Sequence, residues 1–212
     1  MVKKRITYNG AVEGLEEKIY FNHLSSLINN SDIATKLVYF DFTNALGGSP
    51  LSVAKRVNRG AYQDILFEQN RIVAIYDYDF KDDSFLEADA YCKKNNIKNY
   101  YSFVNFDLWL LNHKVKYSKR IDKADDYVPD VRKHYHLNAD VNIKTEENIC
   151  KIVNQITLED VLMAVENAKQ IKEQNEKCKT FFHKKRCIYD QPNLQLAEFI
   201  DSVLKECNLI IK

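Results

Sequence analysis

The segment Arg71-Ile72-Val73-Ala74-Ile75-Tyr76 is almost unbroken apolar and β-branched, and it stops on two carboxylates, Asp77 and Asp79. A run of that length and composition predicts a strand buried on both faces, which a parallel sheet covered by helices on each side provides. Charge at the end of such a strand needs a partner. A second acidic group, Glu13-Gly14-Leu15-Glu16-Glu17, follows another strand-like stretch, Lys4 to Val12. In open α/β sheets ligands bind at the carboxyl ends of strands. Two such ends carrying acids therefore point to carboxylate oxygens gathered around a hard cation.

The pattern around these two strands repeats the same alternation. Gly14 opens a helix through Glu17, Tyr20, Phe21, Leu24 and Leu27, which breaks at Asn29-Asn30-Ser31-Asp32. Lys36 to Phe42 predicts another strand, Gly47-Gly48-Ser49-Pro50 a turn, and Leu51 to Val57 a short helix. After Asp79, Asp82-Asp83-Ser84 caps a helix from Phe85 to Lys94, and Ile97 to Val104 predicts an aromatic-rich strand. Strands alternating with helices over short connections specify an α/β class with a mostly parallel sheet.

Beyond Asn105 the character changes. Phe106 to Leu111 predicts a helix that is apolar nearly all round, followed by helices over 124–135, 145–154, 158–174 and 193–204 and a short strand at Leu209-Ile210-Ile211. We therefore expect an α/β core over residues 1–115 and a mostly helical extension over 116–212 packed on it. With 212 residues, 45% of them apolar, the chain can bury a sizeable core. Ile6 to Val12, the apolar stretch nearest the N-terminus, is too short for a signal peptide or a membrane span, so the expected address is cytoplasmic, with no membrane partner. Five cysteines without a C-x-x-C pair read as free thiols rather than a disulfide framework or a zinc site. A net charge of +1 supplies no global attraction to polyanions, so any affinity for nucleic acid must come from local clusters.

Val12-Glu13-Gly14, followed by Glu17, Tyr20 and Phe21 and then by Ile75-Tyr76-Asp77-Tyr78-Asp79, resembles the Toprim domain of topoisomerases, primases and several nucleases. The likeness is closer to the RloB-like branch, bacterial defence proteins often encoded beside an ATPase, as in the AbiL type of abortive infection system. Ser102-Phe103-Val104-Asn105-Phe106-Asp107-Leu108-Trp109-Leu110-Leu111-Asn112-His113 is similar to that branch's Ser-Asn-Pro-x-Phe-Glu-x-Trp-Leu-Leu-x-His segment. Gln191-Pro192-Asn193 is similar to its Asn-Pro stretch ahead of the last helix. In this chain Phe103-Val104 stands in place of Asn-Pro, Asp107 in place of Glu, and Glu16 in place of Thr.

The resemblance implies a Toprim-like, Rossmann-like fold and a Mg²⁺-dependent (or Mn²⁺-dependent) endonuclease acting on DNA or RNA, transfer RNA included, in phage defence. It also implies control by a separate ATPase subunit, in keeping with the lack of a G-x-x-x-x-G-K-[ST] loop in this chain. Cleaving a phosphodiester requires an activated water, a neutralised phosphate and a stabilised leaving oxygen, all of which bound Mg²⁺ supplies. Asp77 and Asp79, two apart, share a strand face with Tyr78 on the other. Glu13 approaches from a neighbouring strand end as ligand or general base. Glu17, Asp107 and His113 are candidates for a second metal or a supporting role. Lys114 and Lys116, within a basic run that reaches Lys119 and Arg120, are candidates for gripping substrate; His183-Lys184-Lys185-Arg186 forms a second basic cluster.

Each of these readings has a structural rival. Asp-x-Asp at a strand end also makes turns and caps, Glu16, Glu17 and Asp107 also suit the first turn of a helix, and His113 and Trp109 also suit a core. Basic runs are commonly solvated loops. Two other functions stay open: a haloacid-dehalogenase-type phosphohydrolase, whose nucleophile would be Asp77, and a non-catalytic subunit that binds an ATPase or a trigger molecule. An oligomer is compatible with either.

Overall fold

The structure is a computed structural model that describes residues 3–57, 71–78, 82–119, 123–178 and 194–210. Four strands, β1 (Lys4–Val12), β2 (Lys36–Asn44), β3 (Ile72–Asp77) and β4 (Lys98–Ser102), form one sheet in the order β2-β1-β3-β4, and every pairing is parallel. Asp79, Arg120, the His183–Arg186 cluster and Gln191–Asn193 lie outside the described residues.

The strand order fixes where the helices go. The chain leaves β1 for β2 through α1 (Leu15–Asn29), then crosses back over β1 to reach β3 through α2 (Pro50–Val57), and continues to β4 through α3 (Asp82–Lys94). Right-handed crossovers that travel in opposite directions place their helices on opposite faces. The packing agrees. Phe21 of α1 meets Phe40 and Phe42 of β2 on one face, whereas Phe85 of α3 sits edge-on to Tyr76 and Tyr101 on the other, where α2 also packs against β1, β3 and α3. The reversal of direction lies between β1 and β3. That makes the carboxyl ends of these two strands the topological switch point, the crevice where ligands bind in doubly wound sheets.

The second half closes the α1 face. Residues Asp107–Asn112 form α4, and every one of them is buried, as an all-round apolar helix demands. Tyr20 meets Phe106, Trp109 and His113 edge-to-face. Then come α5 (Val128–His134), α6 (Glu146–Val153), α7 (Leu158–Cys178) and α8 (Leu196–Glu206). Phe199 of α8 stacks on Tyr100 and meets Tyr8 edge-on, and Glu206 receives hydrogen bonds from Tyr8, Lys36 and Arg71, so the C-terminal helix is part of the sheet's own core.

Three expectations change. The helix expected over 124–135 divides into a 3₁₀ turn, Ala124–Tyr127, and α5, because Pro129 lacks an N–H and fits only in a helix's first turn. The strand expected to reach Val104 ends at Ser102, and Val104 adopts φ +63°, a conformation that β-branched residues rarely enter. Leu209 and Ile210 form bends rather than a strand. Cys92, Cys150 and Cys207 are free thiols. Among the described residues no helix is long and apolar enough to cross a membrane.

Candidate functional site

At the switch point the two acidic strand ends meet. Val12 pairs with Ile75, so Glu13 leaves β1 beside the last residues of β3, and its Oε2 accepts the backbone N–H of Asp77 at 2.9 Å. The loop after β2 supports the same spot: the Ala45 N–H donates to the Val12 carbonyl and the Gly47 N–H to the Glu13 carbonyl, both at 2.9 Å. The Tyr78 ring packs on Phe85 and Phe103, against α3, so alternation along the strand directs Asp77 to the other face.

Gly14 has ordinary extended backbone (φ −135°, ψ −176°), so no left-handed turn calls for glycine here. Close approach does. Its N–H donates to Glu17 Oε2 at 3.0 Å, and a Cβ on residue 14 would lie 3.1 Å from that same oxygen. Glu17 is thereby a helix-capping acid, buried in the first turn of α1, where the helix dipole favours it.

A second cluster lies at the N-termini of α1 and α4. Asp107 is wholly buried. Its Oδ1 accepts from Lys144 Nζ at 2.7 Å, its Oδ2 from Asn105 Nδ2 at 3.1 Å, and its own N–H donates to Asn105 Oδ1 at 3.2 Å. The same Lys144 ammonium donates to Glu16 Oε2 at 2.7 Å, while Glu16 Oε1 is buried with no hydrogen-bond partner among the described residues. Burial, then the nearby Asp107 charge, pushes the Glu16 carboxyl up to about 8, and burial also raises Glu17. Burial alone would lower Lys144, but the two carboxylates hold its ammonium well above the ordinary lysine range. Charge compensation at Asp107 is thus built into the chain as a lysine.

The other candidates are placed elsewhere. His113 is wholly buried; since a carbonyl only accepts, its Nδ1 donates to Trp109 O at 2.8 Å, which leaves Nε2 to accept the Tyr20 hydroxyl at 3.1 Å. Both nitrogens are committed to the core, and burial pulls the ring down to about 4, so it stays neutral and reaches no phosphate from this position. Lys114 lies beyond the far end of α4 from Asp107. It donates to Asp160 Oδ2 at 2.9 Å and to the Gln155 carbonyl at 2.8 Å, tying α4 to the start of α7. Lys116 is exposed and contacts Gln170 Oε1 at 3.4 Å. Trp109 is core.

The structure therefore brings Glu13 to Asp77, and Asp107 to Glu16 through Lys144. Sequence reasoning passed over Glu16 as a first-turn acid and did not single out Lys144. The only sequence signal for Glu16 was the density of acids after β1. Among the described residues no three His, Cys, Asp or Glu side chains are placed to share one ion, and Asp79 is outside that set.

A family model described as RloB-like protein matches residues 11–198. No curated protein and no solved structure matches the chain.

Proposed function

The chain belongs to the RloB-like family, and from that premise we propose that it is a Mg²⁺-dependent endonuclease of the Toprim type, cleaving DNA or RNA in the cytoplasm as an effector of antiphage defence under the control of a partner ATPase. One observation carries the reading: the Glu13 carboxylate accepts the Asp77 backbone N–H at 2.9 Å, which joins two acid-bearing strand ends at the switch point of a doubly wound sheet.

The donor set fits a hard cation. Mg²⁺ is commonly held by one or two carboxylates, with water and substrate phosphate completing its shell, and Glu13 and Asp77 supply that number, with Asp79 following in sequence. A bound ion would neutralise the scissile phosphate and acidify an attacking water. The chain's own part is positional. The Asp77 amide orients the Glu13 carboxylate, and the β2 loop fixes the backbone on which Glu13 stands. Lys144 bridges Glu16 and Asp107 at the first turns of α1 and α4, which keeps these two helix ends together.

The test is cleavage of labelled DNA and RNA, transfer RNA included, by the purified chain with and without the partner ATPase. Glu13→Gln and Asp77→Asn should each lower Mg²⁺-dependent cleavage by about a hundredfold or more. Full activity in both variants would overturn the proposal. Loss with Asp77→Asn alone, together with a trapped aspartyl-phosphate, would favour the phosphohydrolase.

A further inference from the structure

The two lysines that sequence reasoning offered as the substrate grip are occupied or remote from the acids, which leaves the nuclease reading without a cationic surface beside its site. One exists on the opposite side of Glu13 from α1. A cavity of about 300 Å³ between the loop after β2 and α2 is lined by Ala45, Gly47, Ser52, Lys55 and Arg56. Its wall touches the backbone on which Glu13 stands: the Gly47 N–H donates to the Glu13 carbonyl.

Its charge is one-sided. Lys55 and Arg56 are both exposed, α2 contains no acidic residue, and neither cation has a hydrogen-bond or ion-pair partner among the described residues. That sets them apart from Lys36, Lys93, Lys114, Lys144, Lys151, Lys169, Lys172 and Lys205, each of which is paired with an acid. Lys55 and Arg56, on the last turn of α2, line the cavity together with Ser52 and Gly47. On a chain with a net charge of +1, these two adjacent exposed cations make a local positive patch rather than part of a general field. The described lining residues carry two cations and no aromatic ring, a surface whose chemistry suits a phosphate group.

We propose that Lys55 and Arg56 form a phosphodiester-binding subsite that holds the substrate backbone next to Glu13, independently of base sequence. The inference rests on the nuclease reading and extends it to the substrate grip. The guanidinium clasps a phosphate in bidentate fashion, the ammonium adds a point charge, and the backbone is thereby fixed over the carboxyl edge of β1 and β3.

The experiment is fluorescence anisotropy with labelled 20-nucleotide single-stranded DNA and RNA and their duplexes, in EDTA to prevent cleavage, over a series of salt concentrations. The Lys55→Gln/Arg56→Gln double variant should bind at least tenfold more weakly than wild type. The slope of log affinity against log salt should shrink by about 1.4 on single strands or about 1.8 on B-form DNA, two contacts' worth of released counterions. Lys133→Gln, an exposed lysine on α5, should change neither quantity. Melting curves should coincide, since both altered side chains are exposed. A double variant with wild-type affinity and slope, or one whose weaker binding tracks a lowered melting temperature, overturns the subsite. Wild-type protein that binds but never cleaves, with or without the partner ATPase, would sink the nuclease reading and leave the subsite standing; wild-type protein that binds nothing overturns both.

Discussion

Replacing His113 with glutamine should flatten the acid limb of the stability curve. The wild-type ring is sealed in the core, with Nδ1–H given to the Trp109 carbonyl and Nε2 receiving the Tyr20 hydroxyl, and burial holds its pKa near 4. In the unfolded chain the same ring titrates at about 6.5. Between those two values the unfolded state binds a proton that the folded state refuses. The stability that His113 confers is therefore complete above about pH 6.5 and is lost as pH falls toward 4. At about 1.4 kcal/mol for each tenfold change in proton affinity, the whole loss is roughly 3 kcal/mol, a large share of the ~5–15 kcal/mol that holds a typical domain together. Urea unfolding followed by circular dichroism between pH 4 and 7.5 reads this directly. Glutamine sacrifices some hydrogen-bond geometry at every pH but does not titrate, so the gap between wild type and variant should close by about 3 kcal/mol on acidification. A gap that stays constant across the window would refute the reasoning, because the folded ring would then be protonating as freely as the unfolded one.

Other perturbations probe the second cluster and the sheet. Lys144→Met strands Asp107 and Glu16 as buried acids; breaking a fully buried pair costs about 3–5 kcal/mol, and with the lysine side chain 45% exposed we expect about 2–3 kcal/mol at pH 7.5 by urea unfolding. Adding Glu16→Gln should recover part of the deficit. Gly10→Ala would set a Cβ 1.9 Å from the Val73 carbonyl oxygen, so the β1–β3 pairing must move. A loss of about 3 kcal/mol or more, or failure to fold, is expected, and a near-neutral melting temperature would contradict that geometry.

The strands were legible because each is a β-branched or aromatic run bounded by turn residues, and β1 begins and ends where its pattern does, at Lys4 and Val12. What periodicity does not encode is strand order. The switch point became visible only with the pairing of β1 to both β2 and β3, although the acids that mark it, Glu13 and Asp77, stood out as charges closing apolar runs. The end of β4 is not legible because Phe103 and Val104 look like strand residues, while Val104, fully buried, adopts positive φ. Lys144 was invisible for a different reason: its carboxylate partners lie 128 and 37 residues away in sequence, and no local pattern announces a long-range ion pair. Lys114 read as a substrate-gripping cation in a basic run, and its capture by Asp160 depends on how α7 docks, which sequence spacing does not specify. Lys55 and Arg56 stand in the short helix that follows the Gly47-Gly48-Ser49-Pro50 turn, and nothing in its sequence shows that this helix shares a cavity with the Gly47 loop.

The account stands on acids at the ends of β1 and β3 sharing a divalent ion. Soaking crystals of the protein in Mn²⁺ and recording anomalous differences locates that ion without any assumption about substrate, trigger or partner. The account predicts a peak within coordination distance of the Glu13 and Asp77 carboxylates that disappears in Glu13→Gln crystals. Manganese bound only elsewhere, or a peak indifferent to that substitution, would contradict it.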